Sequence, residues 1–166
     1  MTPIGMKEHK YTEAELYNKF SALCAFTEYC ISDIRKKMQR LDPEAEHTER
    51  VIERLVKENF INESRYATAF VRDKFRYNRW GIVRIAMELR AKGIDKETID
   101  AAMQEISDED ASETLLSLLK KKLPTVKGNT DYEIKMKLMR FAASRGFEPE
   151  RVRRTVEEVM SGQDNE

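Results

Sequence analysis

The 166 residues are 40% hydrophobic and 36% charged with only 6 glycines and 4 prolines, a balance too apolar for general disorder and suited to a helix-rich chain. Thirty Lys and Arg against thirty Asp and Glu leave no net charge, which excludes a global field toward nucleic acid or an anionic membrane, so any electrostatic partner must be met by a local patch. No apolar run approaches the ~20 residues of a membrane span and the opening MTPIGMKEHKYTEAEL holds no apolar leader, so a cytoplasmic protein without membrane contact is expected.

Along the chain, Thr12 and Glu15 form a capping box that opens the first helix. Cys24 and Cys30 are the only cysteines; their separation turns them to different faces of a helix and gives no zinc spacing, so both read as buried, reduced thiols. Asp42-Pro43 reads as an N-cap followed by proline at the first helical position. Asn62 or Glu63 opens the next apolar-periodic segment, in which Tyr66, Ala67, Phe70 and Val71 share one face while Arg65, Arg72 and Arg76 fall opposite. The turn NRWG follows, with Gly81 allowing a tight bend and Trp80 serving either as a packed lid or as an exposed anchor. Ile82, Ile85, Ala86 and Leu89 make the stripe of the next helix, which stops at Gly93. Asp95, Ser107 with Asp110, and Thr130 with Glu133 mark later starts, as does Pro149, and Pro124 and Gly146 mark stops. About nine helices and no strand are expected.

These helices repeat. LRAKGIDKETIDAAM, Leu89 to Met103, aligns with AASRGFEPERVRRTV, Ala142 to Val156, pairing Gly93 with Gly146 and Ile94 with Phe147. A weaker copy places Ile34 and Met38 at Ile85 and Leu89, with Asp42-Pro43 in place of the glycine stop. The fold class expected is therefore all-α, three tandem three-helix units forming an elongated, curved helical-repeat molecule. The expected divisions are a flexible N-terminus over 1–11, units over 12–61, 62–106 and 107–161, and a tail over 162–166. A β-branched residue at Gly93 or Gly146 should destabilise its unit by roughly 1 kcal/mol or more, because it resists positive φ.

Between Arg72 and Lys92 lie seven basic residues, Arg72, Lys74, Arg76, Arg79, Arg84, Arg90 and Lys92, against the acidic Asp73 and Glu88 alone. With Arg65 on the same helix face and Trp80 in the turn, they form the candidate partner-binding set, suited to phosphates or carboxylates. The bland reading is a solvated face. A second basic set, from Lys135 to Arg154, reads as structural because Glu133 with Lys137, Glu150 with Arg154 and Arg153 with Glu157 are helical i, i+4 pairs. Lys120 to Lys122 complement a helix C-terminus. Nothing points to catalysis, a cofactor or a metal: His9 and His47 stand alone among charged residues, and there is no phosphate loop or metal motif.

The run ENFINESRYATAFVRDKFRYNRWGIVRIAMELRAKGIDKETIDAAM resembles the signature region of the RecX family through Phe60, Ile61, Arg65, Tyr66, Ala67, Phe70, Val71, Gly81, Ile85, Glu88, Leu89, Lys92, Gly93 and Ile94. Asn59 stands where that family commonly has glycine, and Asn62 where it has aspartate. The resemblance implies a bacterial regulator acting in DNA repair, homologous recombination and the SOS response. Such a protein is a non-enzymatic monomer that lies along the RecA filament on single-stranded DNA and restrains its assembly, ATP hydrolysis and strand exchange. Zero net charge argues that direct DNA contact is weak beside contact with the filament. A stand-alone DNA-binding three-helix protein and a general helical-repeat scaffold are the alternatives. If the basic face is the contact, reversing Arg72, Arg76 and Arg84 should weaken binding and spare the fold.

Overall fold

Thr12, Asn62, Asp95, Ser107 and Thr130 each accept a hydrogen bond from the backbone N–H three residues on, at 2.8–3.2 Å, and each opens a helix. Every short polar side chain here satisfies an N–H that the first helical turn leaves without a partner. The computed structural model describes residues 10–163. Its helices are α1 Glu13–Phe26, α2 Ile31–Leu41, α3 Thr48–Lys57, α4 Glu63–Arg76, α5 Ile82–Ala91, α6 Lys96–Met103, α7 Asp108–Lys122, α8 Asp131–Ser144 and α9 Pro149–Gln163. A 3₁₀ turn at Leu123–Thr125 carries Pro124 and ends α7, and among the described residues there is no strand.

The helices pack by threes around separate cores. Leu16, Ile34, Met38 and Leu55 centre α1–α3, and Val71, Ile85 and Leu89 centre α4–α6; Leu115, Leu119 and Leu138 centre α7–α9. Leu89→Ala should therefore cost about 2–5 kcal/mol, the range for a buried leucine. Phe70 lies only half-buried at the margin of the second core, so Phe70→Ala should cost nearer to about 2 kcal/mol than the 3–5 of a fully enclosed phenylalanine. Urea unfolding of the two variants checks the order.

Two sequence expectations are corrected. Asp42 does not open a helix: it is the C-cap of α2, buried, and its carboxylate accepts the N–H groups of Lys10 and Tyr11 at 3.0 and 3.2 Å, while α3 begins six residues later at Thr48. A carboxylate takes this place because two chain-entry amides need an acceptor there. Nor do the cysteines share a helix. Cys24 is in α1, whereas Cys30 precedes α2 and is buried in the core of the second unit. Both are free thiols, and burial pushes the pKa of each up.

Three helices end in the same way. After α5 and α8, Gly93 and Gly146 take φ of 82° and 90°, and Ile94 and Phe147 donate back to Leu89 and Ala142. After α3 the left-handed position is held by Asn59 at φ 64°, with Phe60 donating to Leu55, so asparagine replaces glycine without loss of the stop.

The units are joined through the middle helices. The N–H groups of Gly81 and Val83, at the start of α5, donate at 2.8 and 2.9 Å to the carbonyls of Arg145 and Gly146 at the end of α8. One joint upstream, Ser32 at the start of α2 donates its hydroxyl at 2.8 Å to the carbonyl of Lys92 at the end of α5. Thus α8, α5 and α2 stand end to end. At the α8–α5 junction the unpaired amides of one helix start meet the unpaired carbonyls of the preceding helix end, while at the α5–α2 junction a serine hydroxyl takes the carbonyl. Neither α2 nor α5 has a side-chain cap of its own; the Ile31 amide is instead satisfied by Glu63 at the start of α4. Gly81 is glycine because of this approach and not for turn freedom: its φ is an ordinary −81°, but a Cβ there would stand 2.4 Å from the Gly146 carbonyl oxygen.

The joint between the first and second units also carries ions. Lys92 reaches Asp33 at 2.9 Å, and Arg65 reaches Glu28 at 2.5 Å while donating to the carbonyls of Asn59 and Phe60. For Asp33 the largest influence is burial, which raises its pKa, but hydrogen bonds from Lys92 and Cys30 outweigh it and leave the carboxyl below its ordinary 3.8. A depressed folded pKa means that the stabilisation is present above the unfolded value and is lost as pH falls through the folded one. The Asp33 carboxyl should therefore titrate below 3.8 in NMR, and its pKa should rise in Lys92→Met, where the ammonium no longer opposes burial.

Candidate partner-binding surface

The sequence-predicted residues divide into two groups. Arg65 and Lys92 are half-buried in the first joint, with Lys92 also lying 5.9 Å from the centre of the Tyr66 ring. Burial is the main reason that the Tyr66 phenol is pushed up to about 12, so this ring is part of the core wall and not an open platform. The remaining seven surround the end of α4, the turn after it and α5.

Their local structure follows from how α4 terminates. Tyr77 caps the helix, Arg79 is held at φ 57°, and the Trp80 amide returns to the Lys74 carbonyl at 3.1 Å. The next amide, that of Gly81, is already bound to α8. The turn is consequently pinned at both sides. Trp80 is half-buried against the second core, with the Arg84 guanidinium 4.0 Å and the Lys74 ammonium 4.8 Å from its ring centre. It is both a lid and a surface on which cations rest. Trp80→Ala should lower the melting temperature and loosen Arg84, whereas Trp80→Phe should retain most of both; calorimetry and the NMR line width of the Arg84 side chain check this.

Arg72 is paired with Glu105 at 3.0 Å, and Arg84 also donates to the Ser144 carbonyl at 3.4 Å. Arg76 and Arg79 are exposed, and neither has an ion-pair partner among the described residues. Together with Arg72 and Phe75 they form one wall of a cleft of about 310 Å³ whose other wall, from the second and third units, holds Glu105, Ile106, Asp110 and Thr114. Arg90 stands apart. It lines a more apolar groove between α5 and α6, beside Ile82, Ala86, Ile99 and Met103, so Ile82 and Ala86 are half-buried groove residues rather than sealed core.

Elsewhere some arginines are engaged, whereas Arg40, Arg140 and Arg154 are also exposed without a salt bridge among the described residues. Arg35, Arg54, Arg151 and Arg153 have carboxylate partners at 2.5–3.3 Å. In the last unit Arg153 pairs with Glu157 as expected, but Lys137 instead binds the Lys127 carbonyl, and Glu133 accepts from the Asn129 amide. Arg151, which sequence reasoning counted only as one of a charged set, is buried and bridges Asp108, Ser112 and Glu148. His47 lies before α3 with Nδ1 2.8 Å from Arg50, and His9 falls outside the described residues. No group of His, Cys, Asp or Glu that could hold a metal occurs among the described residues, and none of their helices is long and apolar enough to cross a membrane.

Tandem three-helix units joined through their middle helices, with a cationic turn between α4 and α5 of the second, define the class of an α-helical repeat protein. The family patterns for the second and third three-helix domains of RecX match residues 62–103 and 108–156, and the chain belongs to the RecX family. It is 28% identical to a regulatory protein RecX of Prosthecochloris aestuarii over 144 residues, 87% of this chain and 93% of that one. With a regulatory protein RecX of Clostridium beijerinckii it shares 31% over 131 residues, 78% of this chain and 61% of that longer one. A crystal structure of RecX from Lactobacillus salivarius superposes with a TM-score of 0.76 at 20% identity, covering 89% of this chain and 96% of that one, and so shares the fold.

Proposed function

We propose that this chain is a non-enzymatic, mainly inhibitory modulator of the RecA recombinase, and that it binds the RecA filament on DNA through the cationic turn between α4 and α5. The observation that carries the site is the placement of Arg76 and Arg79. In a chain of zero net charge, these two stand exposed and without ion-pair partners, three residues apart on a pinned turn. Lys74 and Arg84 flank them on the faces of Trp80. Unneutralised guanidinium groups on a fixed backbone meet carboxylates or filament phosphates with little ordering cost.

Repetition of the units adds weak contacts along an extended partner, and their tethering multiplies the affinities. The stand-alone helix-turn-helix reading is disfavoured by the second joint. The N-terminus of α5, the end that would face base edges in a recognition helix, is occupied by the carbonyls of α8. Titrating the protein into RecA hydrolysing ATP on single-stranded DNA should lower the steady-state rate in a saturable manner. An unchanged rate at concentrations well above that of RecA would contradict the proposal.

A further inference from the structure

We propose that the turn after α4 is also a single-stranded nucleic-acid contact in its own right, in which a base stacks on Tyr77 while Arg76 and Arg79 take the flanking phosphates. Tyr77 lay outside the basic set read from sequence. Its side chain is 74% exposed, whereas Tyr66, Phe70, Phe75 and Trp80 on the same segment are buried or packed against the second core. Among the described residues its ring has no aromatic, cation or hydrogen-bond partner. An exposed aromatic by itself is ordinary. What distinguishes this one is its company and its support.

The residue before it and the residue two after it are exposed arginines without ion-pair partners among the described residues. The backbone that carries all three is fixed by the Tyr77 amide to Asp73 at 2.8 Å, by Trp80 to Lys74 at 3.1 Å and by Gly81 to Arg145 at 2.8 Å. An exposed aromatic on a fixed backbone, with arginines one residue before it and two after, supplies what single strands recognise: every unpaired base offers a π-face, and the arginines track its backbone. A duplex, whose bases are already stacked, offers no such face. An acidic protein surface would use the arginines but leave the ring without a role. This contact does not depend on RecA and stands whether or not filament binding is found.

The test is fluorescence-anisotropy titration of a labelled oligo(dT) with the full chain, without RecA, at low and at moderate salt. Tyr77→Ala should weaken binding roughly five- to hundredfold at an unchanged circular dichroism spectrum, and Tyr77→Phe should bind within about twofold of the parent, since stacking needs the ring and not the hydroxyl. Arg76→Gln with Arg79→Gln should reduce the slope of log K against log salt by about 1.4, two single-strand phosphates. The proposal is overturned if the parent fails to bind oligo(dT) at low salt, if it binds duplex of equal length as tightly, or if Tyr77→Ala binds like the parent. Free RecA supplies the last arm: loss of RecA binding in Tyr77→Ala with oligo(dT) binding intact would assign the ring to a protein partner and overturn the DNA contact.

Discussion

Gly146→Ala should be far more damaging than Gly93→Ala, although the two glycines align in the repeat and share the same left-handed conformation. At Gly93 an added Cβ meets nothing within 4 Å, so only the conformational penalty of positive φ applies, about 1–2 kcal/mol. At Gly146 the same penalty is joined by a Cβ 2.1 Å from the Arg84 Cβ and 2.6 Å from the Arg84 amide nitrogen. Neither neighbour is the far end of a flexible side chain. The helix ends must separate, adding about 1–3 kcal/mol of overpacking, for a total of about 2–5. Separation also exposes the amides of Gly81 and Val83, so their hydrogen-exchange protection should fall together with the melting temperature. Gly81→Ala isolates the steric part, because its φ is ordinary. Equal unfolding midpoints for Gly146→Ala and Gly93→Ala would show that the α8–α5 junction carries no stability.

Reversing Arg76, Arg79 and Arg90 to Glu should leave unfolding nearly unchanged and weaken filament binding at least tenfold. These three replace the set suggested by the sequence, for reasons the structure supplies. Arg72 is paired with Glu105, and Arg84 rests on Trp80 beside Gly146, so changes there would mix stability with binding. Each charge-assisted contact contributes roughly 1.5–3 kcal/mol and a tenfold loss needs only about 1.4, so one engaged arginine among the three suffices. Surface-plasmon titration of immobilised filaments checks affinity, and urea unfolding checks the fold.

Much of the fold could be read from residues with local consequences. Thr12, Asn62, Asp95, Ser107 and Thr130 cap helices because a short side chain reaches an amide three residues away, which needs no tertiary information. Gly93 and Gly146 were readable as stops for the same reason. Asp42-Pro43 misled because a cap pattern is also what a buried acceptor looks like: Asp42 serves Lys10 and Tyr11, 32 and 31 residues away. Cys30 and Gly81 were likewise opaque. Both precede an uncapped middle helix; Gly81 is small because the end of α8 comes close and Cys30 is buried in the core of the second unit, facts written in contacts far along the chain. The missing cap before Ile82 was the one available signal.

The candidate surface shows the same division. Helical periodicity placed Arg72 and Arg76 away from Tyr66 and Val71, but no periodicity could tell that Arg65 and Lys92 turn to Glu28 and Asp33 of the first unit. Partnering across units decides which arginines remain available, and that depends on the joints. Nothing in the sequence distinguishes Tyr77 from the segment's other aromatics, which belong to the core.

Co-sedimentation with RecA–ATP filaments on single-stranded DNA, with bare DNA and free RecA run beside them, tests the central claim most directly. The protein should pellet with the filament at concentrations at least tenfold below those at which bare DNA or free RecA retains it. Retention by bare DNA equal to that by the filament would contradict the account and leave a simple DNA-binding protein.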